Sequence, residues 1–193
     1  MSSLKERIDL LENDLKAVPS RINVYHDLPF AILRYDPTDE WELRREVRLL
    51  ATRLEQTGKQ VHIIPMSEFL WKAIDESEGL DQLVDLERQR GYLKAQEQAT
   101  TYLSDRDFRP LASLLTERLA NLDPAKNIAF LTRVAVMAPG IYHMSMLLDQ
   151  MQSKTRVTTI LFYPGSIEGT TGLRFMDLKD RDALGNYRVK IYG

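Results

Sequence analysis

The sequence predicts an α/β protein in which a mostly parallel sheet is flanked by helices. Apolar runs such as TTILFY show no clear alternation of apolar and polar residues, which is typical of strands covered on both faces. Amphipathic helical patterns separate these runs, at the length of a parallel crossover. With 193 residues, 44% of them hydrophobic and 28% charged, the chain is predicted to form a single domain over residues 1–193. The expected sheet is Rossmann-like or degenerate P-loop-like, with an N-terminal helix and a helical insertion.

Residues 1–18 are predicted to form the N-terminal amphipathic helix. Its apolar positions recur every three or four residues: Leu4, Ile8, Leu11, Leu15 and Val18. Pro19 then ends the pattern. Two interpretations remain, a helix lying on its own domain or a helix that docks on a partner, because two heptads are too few to stand alone.

The next segment predicts a strand, a helix and a second strand. The first strand covers about residues 29–35, the helix continues to about residue 57, and QVHIIP forms the second strand. Asp36 is a suitable N-cap and Pro37 a suitable first helical residue. Acidic residues in the first turn of the helix suit the helix dipole.

Residues 67–122 have a helical pattern and are predicted to form the helical insertion. Three helical pieces are expected, with breaks at Gly79, at Gly91 and near residues 104–107. About 55 residues of helix is long for one crossover, so this region is expected to lie beside the sheet.

Strands return after the insertion. A strand is predicted near residues 128–136, followed by a turn at Ala138-Pro139-Gly140, a helix through Met151 and a strand over residues 157–163. The closing stretch NYRVKIYG predicts a last strand or an edge strand.

Composition excludes several classes of protein. There is no cysteine, which excludes disulfides, thiolate zinc sites, iron–sulfur ligation and cysteine nucleophiles. The 26 basic and 28 acidic residues leave no strong overall positive field for nucleic acid. Apolar stretches are far short of the roughly 20 residues of a membrane helix, and the N-terminus is not signal-like. A cytoplasmic protein with no membrane segment is therefore expected.

Two glycine-containing turns are the candidate phosphate sites. In FYPGSIEGTTGLRF, glycines 165, 169 and 172 lack the spacing, the lysine and the following helix of a Walker A loop. A surface turn is the favoured interpretation. Gly140 precedes a predicted helix whose amides could face an anion, and His143 lies one turn into that helix. An ordinary turn and a helix-surface histidine are the favoured alternatives there.

The assembled pattern resembles a known family. The stretches PFAILRYDPTDEWELRREVRLL, FLTRVAVMAPGIYHMSMLLDQM, TTILFYPGSIEGTTGLRFM and YRVKIY are similar to the BrxB family, the small subunit of BREX bacteriophage-exclusion systems. The resemblance covers nearly the whole chain. Its most specific elements are Tyr35-Asp36-Pro37, residues 139–143 (PGIYH) and residues 162–165 (FYPG).

The resemblance implies a part in bacterial defence, where BREX proteins together methylate host DNA and block phage replication. It implies a non-catalytic accessory or assembly subunit without cofactor or metal, with the phosphatase-like PglZ as the first expected partner and the BrxC ATPase as another. The alternative is a nucleotide- or nucleic-acid-binding module on a degenerate P-loop-like sheet. Whether the chain touches DNA directly stays open. The candidate residues for contact with a partner or an anion are Gly140, Tyr142, His143, Tyr163, Pro164 and Gly165.

Overall fold

A computed structural model describes residues 2–18, 20–22, 28–169, 172–178 and 189–193. Six strands in these residues form one sheet: β1 Phe30–Tyr35, β2 Gln60–Pro65, β3 Asn127–Thr132, β4 Thr158–Glu168, β5 Gly172–Phe175 and β6 Lys190–Tyr192. Their order is β2-β3-β4-β1-β6, and all of these neighbours run parallel. Only β5 is antiparallel, paired with the end of β4. The predicted α/β class with a mostly parallel sheet is confirmed.

Seven α-helices lie in the described residues: α1 Leu4–Lys16, α2 Glu40–Glu55, α3 Met66–Asp75, α4 Leu80–Arg90, α5 Tyr92–Ser104, α6 Leu111–Leu119 and α7 Met144–Met151. Helices α1 and α2 bury apolar side chains on one face of the sheet. Helices α3, α5, α6 and α7 do so on the other face. None of the helices in this part of the chain is long and apolar enough to cross a membrane.

The two-sided cover explains the apolar runs of the strands. In β3, Ile128 and Phe130 belong to the core cluster under α1 and α2, whereas Ala129 and Leu131 belong to the opposite cluster. Successive strand residues point to opposite faces, so a strand between two helix layers needs apolar residues at every position.

Helix α1 lies on its own domain. Ser3 and Glu6 form a capping box at its start. The side chains that face the sheet are at most 6% exposed: Leu4, Ile8, Leu11 and Leu15. Near its end the Asp14 carboxylate accepts hydrogen bonds from the Tyr192 hydroxyl at 2.6 Å and from Lys190. These contacts tie the first helix to the last strand.

The helices between β2 and β3 differ in number from the expected three pieces. The second piece is divided into α4 and α5 at Gly91, where φ is +85°. Side chains of α3, α5 and α6 lie in the core cluster, whereas α4 buries none. The predicted breaks at Gly79, at Gly91 and near residues 104–107 all coincide with helix ends.

The expected strand through residue 136 is wrong beyond Thr132. Arg133 has a left-handed backbone with φ of 55°, and Val134–Met137 then form a 3-10 helix. Val134 and Met137 are buried there, so their apolar character reflects core packing rather than a strand. Strand β4, in contrast, runs five residues past the expected end at residue 163. Of the predicted closing strand, residues 186–188 lie outside the described residues.

Candidate functional site at the carboxyl edge of the sheet

The carboxyl ends of β1 and β4 meet at the point where the chain changes direction across the sheet. After β1 the chain passes through α2, on one face, to the β2 edge. It then returns through helices on the other face to β3 and to β4, which lies beside β1. In open parallel sheets, ligands bind in the crevice outside the strands at such a switch point. This carboxyl edge is therefore where a functional site is expected.

The junction between β1 and α2 is acidic. Asp36 caps a short 3-10 helix at Pro37–Asp39, accepting the Thr38 amide at 2.9 Å and the Thr38 hydroxyl at 2.6 Å. These hydrogen bonds lower the pKa of Asp36. Glu40 and Glu42 follow in the first turn of α2. Negative side chains at this helix start repel a phosphate group, so the junction does not have the chemistry of a phosphate loop.

A groove lies between the first half of α2 and the ends of β2 and β3, and we call it the α2 groove. It encloses about 150 Å³. It is lined by four apolar residues, three arginines, one glutamate and one threonine: Leu43, Val47, Ile63, Pro65, Arg44, Arg48, Arg133, Glu40 and Thr132. Ile63 is 39% exposed on the edge strand, and Trp41 is 78% exposed at the start of α2. The groove thus combines apolar side chains with more basic than acidic ones.

Charges in the α2 groove are only partly balanced. Arg44 pairs with Glu40 at 2.7 Å and lies 4.6 Å from the centre of the Trp41 ring. Glu40 also accepts a hydrogen bond from the Tyr35 hydroxyl, whose pKa is raised by burial and by that carboxylate. Arg48 and Arg133 form no ion pair with any described residue. The groove therefore has positive charge available for a partner.

Two further arginines are buried near the start of α1 and the end of β1. Arg7 is 5% exposed and Arg34 is 7% exposed. Arg7 donates from Nε to the Ser3 carbonyl at 3.3 Å, while its Nη1 has no hydrogen-bond partner. Nε of Arg34 has none either. Orphan donors of this kind are rare in folded proteins.

The turn between β3 and α7 contains one buried candidate residue, Tyr142, and two half-buried ones, Gly140 and His143. Tyr142 is 3% exposed and its hydroxyl donates to Oε1 of Gln150 at 3.0 Å. Burial raises the pKa of Tyr142. Gly140 and His143 are half-buried, and His143 precedes α7, with its carbonyl accepting the Met146 amide at 3.1 Å. Of the three candidate residues in this turn, Gly140 and His143 are therefore the two that another molecule can touch.

The glycine-rich stretch forms a β hairpin rather than a loop. Tyr163, Pro164 and Gly165 are buried within β4, and the Tyr163 ring packs edge-on against Phe175 at 5.5 Å. Gly165 has φ of +145°, and a Cβ atom there would lie 2.0 Å from the Arg174 carbonyl oxygen. The strand therefore requires glycine at this position because of the close backbone of β5. Gly169, with φ of +66°, lies at the hairpin end.

The structure brings the predicted site residues to one edge of the sheet but does not expose them all. Tyr142 and Tyr163 belong to the same core cluster. Sequence reasoning did not find Trp41, Arg48 or Arg133 as site residues. An arginine inside the apolar run FAILRY was the one available signal for Arg34.

In the described part of the chain no group of three or more His, Cys, Asp or Glu side chains could hold a metal ion. Of the other two histidines, His62 forms a hydrogen bond between its Nε2 and the side-chain Oδ1 of Asn127 at 2.6 Å, and His26 lies outside the described residues.

Fold and edge together define a three-layer α/β protein with a parallel sheet and a cationic, partly apolar groove at its carboxyl edge. The family pattern described as BREX protein BrxB matches residues 62–191, more than half of the chain. The chain therefore belongs to the BrxB family. A relative named BREX protein BrxB, from Bacillus cereus (strain H3081.97), is 25% identical over 187 residues, which cover 93% of this chain and 94% of that protein. No solved structure matches the chain significantly.

Proposed function

We propose that the chain is a non-catalytic assembly subunit of a BREX phage-defence system. Membership of the BrxB family is the observation that carries this proposal. In the proposed role the chain bridges larger BREX components in the cytoplasm, with PglZ as the first partner and the BrxC ATPase as the second. It is needed for host DNA methylation and phage restriction through this assembly role.

The α2 groove is the surface that best supports protein binding. Tryptophan, tyrosine and arginine are the residue types that dominate binding energy at protein interfaces. Trp41 is exposed and its ring lies against Arg44, which lines the groove together with Arg48 and Arg133. Arg48 and Arg133 have no ion pair among the described residues. We propose that an acidic partner segment binds here, with an apolar side chain in the groove. Gly140 and His143 are the other proposed contacts, and the buried Tyr142, Tyr163, Pro164 and Gly165 support the surrounding surface.

The alternative, a nucleotide- or nucleic-acid-binding module, is less well supported. The acidic helix start after β1 disfavours phosphate at the position where a P-loop would bind it. Titration with ATP, GTP and duplex DNA tests it, because a ligand of the native state must raise the melting temperature Tm. An unchanged Tm with all three, together with unchanged tryptophan fluorescence, would exclude this alternative.

Co-expression with PglZ and BrxC tests the assembly role and the groove together. We expect the wild-type chain to co-purify with PglZ in low salt, and Arg48→Glu with Arg133→Glu to reduce recovery about tenfold or more through charge repulsion. Arg88→Glu with Arg90→Glu, both exposed on α4, is the matched double charge reversal away from the groove and should retain the partner. Equal recovery with both variants would rule out the α2 groove as the contact.

A further inference from the structure

Strand β2 lies at one end of the sheet and has β3 as its only neighbouring strand in the described residues. The Gln60 amide donates to the Lys126 carbonyl at 2.8 Å. In a parallel pair, the N–H and C=O groups of one residue point to the same side, and that side alternates along the strand. Residues 60, 62 and 64 therefore point their backbone groups at β3, whereas Val61 and Ile63 point theirs to the open side of β2, which we call the β2 edge.

The outward backbone groups of β2 are unpaired and accessible. Among the described residues, nothing bonds to the amide or the carbonyl of Val61 or Ile63. Val61 is half-buried, and Ile63 is exposed. A row of free N–H and C=O groups at the edge of a sheet is a template for one more strand. The β2 edge thus offers two donors and two acceptors to an extended segment.

One flank of α2 borders the β2 edge. The other flank faces α1, where Arg53 pairs with Glu12 at 2.7 Å. Arg53 is nine residues beyond Arg44, so the two side chains leave α2 on opposite sides. Arg44 and Arg48 line the α2 groove together with Ile63 of the edge strand. A segment added beside β2 would therefore lie next to these two arginines.

The charge beside the β2 edge is positive. The charged residues that line the α2 groove are three arginines and Glu40, and Glu40 pairs with Arg44. Arg48 and Arg133 form no ion pair with any described residue. Complementary charge speeds the encounter with a partner and selects against partners of the wrong charge. The edge therefore fits an acidic segment better than a neutral or basic one.

We propose that the acidic partner segment binds as an added strand of the sheet, with its backbone paired to Val61 and Ile63. Side chains of a strand alternate between the two faces of the sheet, so every second side chain of the segment lies on the α2 face with Ile63. An apolar side chain there packs beside Ile63, and acidic side chains two positions away lie near Arg48 and Arg133. Strand addition draws affinity from main-chain hydrogen bonds and specificity from alternate side chains. This inference rests on the proposed binding of an acidic segment and adds how that segment is held.

Exchange of backbone amides with water, measured by NMR on the full chain, tests the free and the bound edge. In the chain alone, the Val61 and Ile63 amides should exchange faster than the His62 amide, which is paired with β3. The probe is a seven-residue peptide with blocked ends: a central isoleucine, a glutamate two positions away on each side, and threonine elsewhere. At a free peptide concentration about ten times its Kd, exchange at Val61 and Ile63 should slow about tenfold, because only the unbound fraction exchanges. Exchange at His62 should not change.

Methylation of single peptide nitrogens tests the backbone pairing without any change to the protein. A methyl group in place of an N–H that faces β2 removes a donor and collides with the strand, so it should weaken binding about tenfold or more. The N–H groups between these face away from β2, and their methylation should leave the Kd unchanged. Replacement of both glutamates by glutamine should weaken binding about tenfold in low salt, through the loss of charge attraction.

Three results would overturn the proposal. The first is no binding of the peptide at about 1 mM. The second is an equal effect of methylation at every peptide position. The third is protection of Val61 and Ile63 that rises with the concentration of the chain alone, which would make a second copy of the chain the occupant of the edge.

The assembly role is judged separately, by co-purification with PglZ. Recovery of PglZ by a chain that fails the peptide tests would overturn strand addition and leave the assembly role intact. An alternating effect of methylation, together with no recovery of PglZ, would overturn the assembly role and support strand addition.

Discussion

Replacement of Gly165 by alanine is expected to disrupt the hairpin that extends β4. A Cβ atom at this position would lie 2.0 Å from the Arg174 carbonyl oxygen and 3.2 Å from the Met176 amide nitrogen, both of them backbone atoms of the facing segment. Backbone atoms cannot rotate away as a side chain can, so β5 would have to move. The φ of +145° adds strain for any residue with a Cβ atom.

The expected loss of stability combines two contributions. Overpacking against a backbone costs about 1–3 kcal/mol. Holding a residue other than glycine in an unfavourable backbone region costs about 1–3 kcal/mol. Gly165→Ala should therefore lower the free energy of unfolding by about 2–6 kcal/mol, a large part of the about 5–15 kcal/mol of an ordinary domain.

Urea unfolding of matched variants measures this loss. Gly169→Ala is the control in the same hairpin, because φ is +66° there but no atom lies within 4 Å of the added Cβ. It should cost only about 1–2 kcal/mol, from the backbone alone. Equal losses of stability in the two alanine variants would show that the close approach of β5 has no energetic effect.

Three further substitutions or deletions test the packing around the site. Tyr35→Phe removes a buried hydroxyl that donates to Glu40, and should cost about 1–3 kcal/mol in urea unfolding, whereas Tyr92→Phe on an exposed ring should cost almost nothing. Burial raises the pKa of Asp14, but hydrogen bonds from Lys190 and Tyr192 outweigh it and lower that pKa overall. Its contribution to stability is therefore full above the unfolded value of about 3.9 and is lost as pH falls through the lower folded value. When the free energy of unfolding is measured as the pH falls, Asp14→Asn should lose less of it than the wild-type chain. An equal loss in the two proteins would contradict this role of Asp14. Deletion of residues 1–18 removes the four buried side chains of α1, each worth about 1.5–3 kcal/mol, and uncovers the sheet face beneath them. Circular dichroism should therefore show an unfolded chain, whereas a stable monomer that fails only to bind a partner would indicate an interface helix instead.

Local patterns were sufficient for most elements of the fold. The strand QVHIIP coincides with β2, and the helix after Asp36 ends within two residues of its predicted end. Glycines at positions 79 and 91 mark helix ends because each has a positive φ that helices avoid. The error after Thr132 has a physical cause, since a buried 3-10 helix and a buried strand both present apolar residues to a core. Strand order depends on contacts between distant segments, which local periodicity does not contain.

The site was harder to predict from the sequence, because it too depends on contacts between distant segments. Ile63, Arg48 and Arg133 form one groove only because β2 and β3 are neighbours and α2 covers their ends. The predicted residues Tyr163 and Gly165 are distinctive because a hairpin packs on them, which is a requirement of folding rather than of contact. Arg34 could have been noticed, since a charged residue in an apolar strand needs a partner or a ligand.

The assembly role is tested most directly by tagging this chain in a complete BREX operon and identifying the proteins that co-purify with it. We expect recovery of PglZ, with BrxC present in the same complex, and loss of PglZ when Arg48 and Arg133 are both replaced by glutamate. Failure of the co-expressed BREX proteins to associate with the wild-type chain even in low salt would rule out the assembly role.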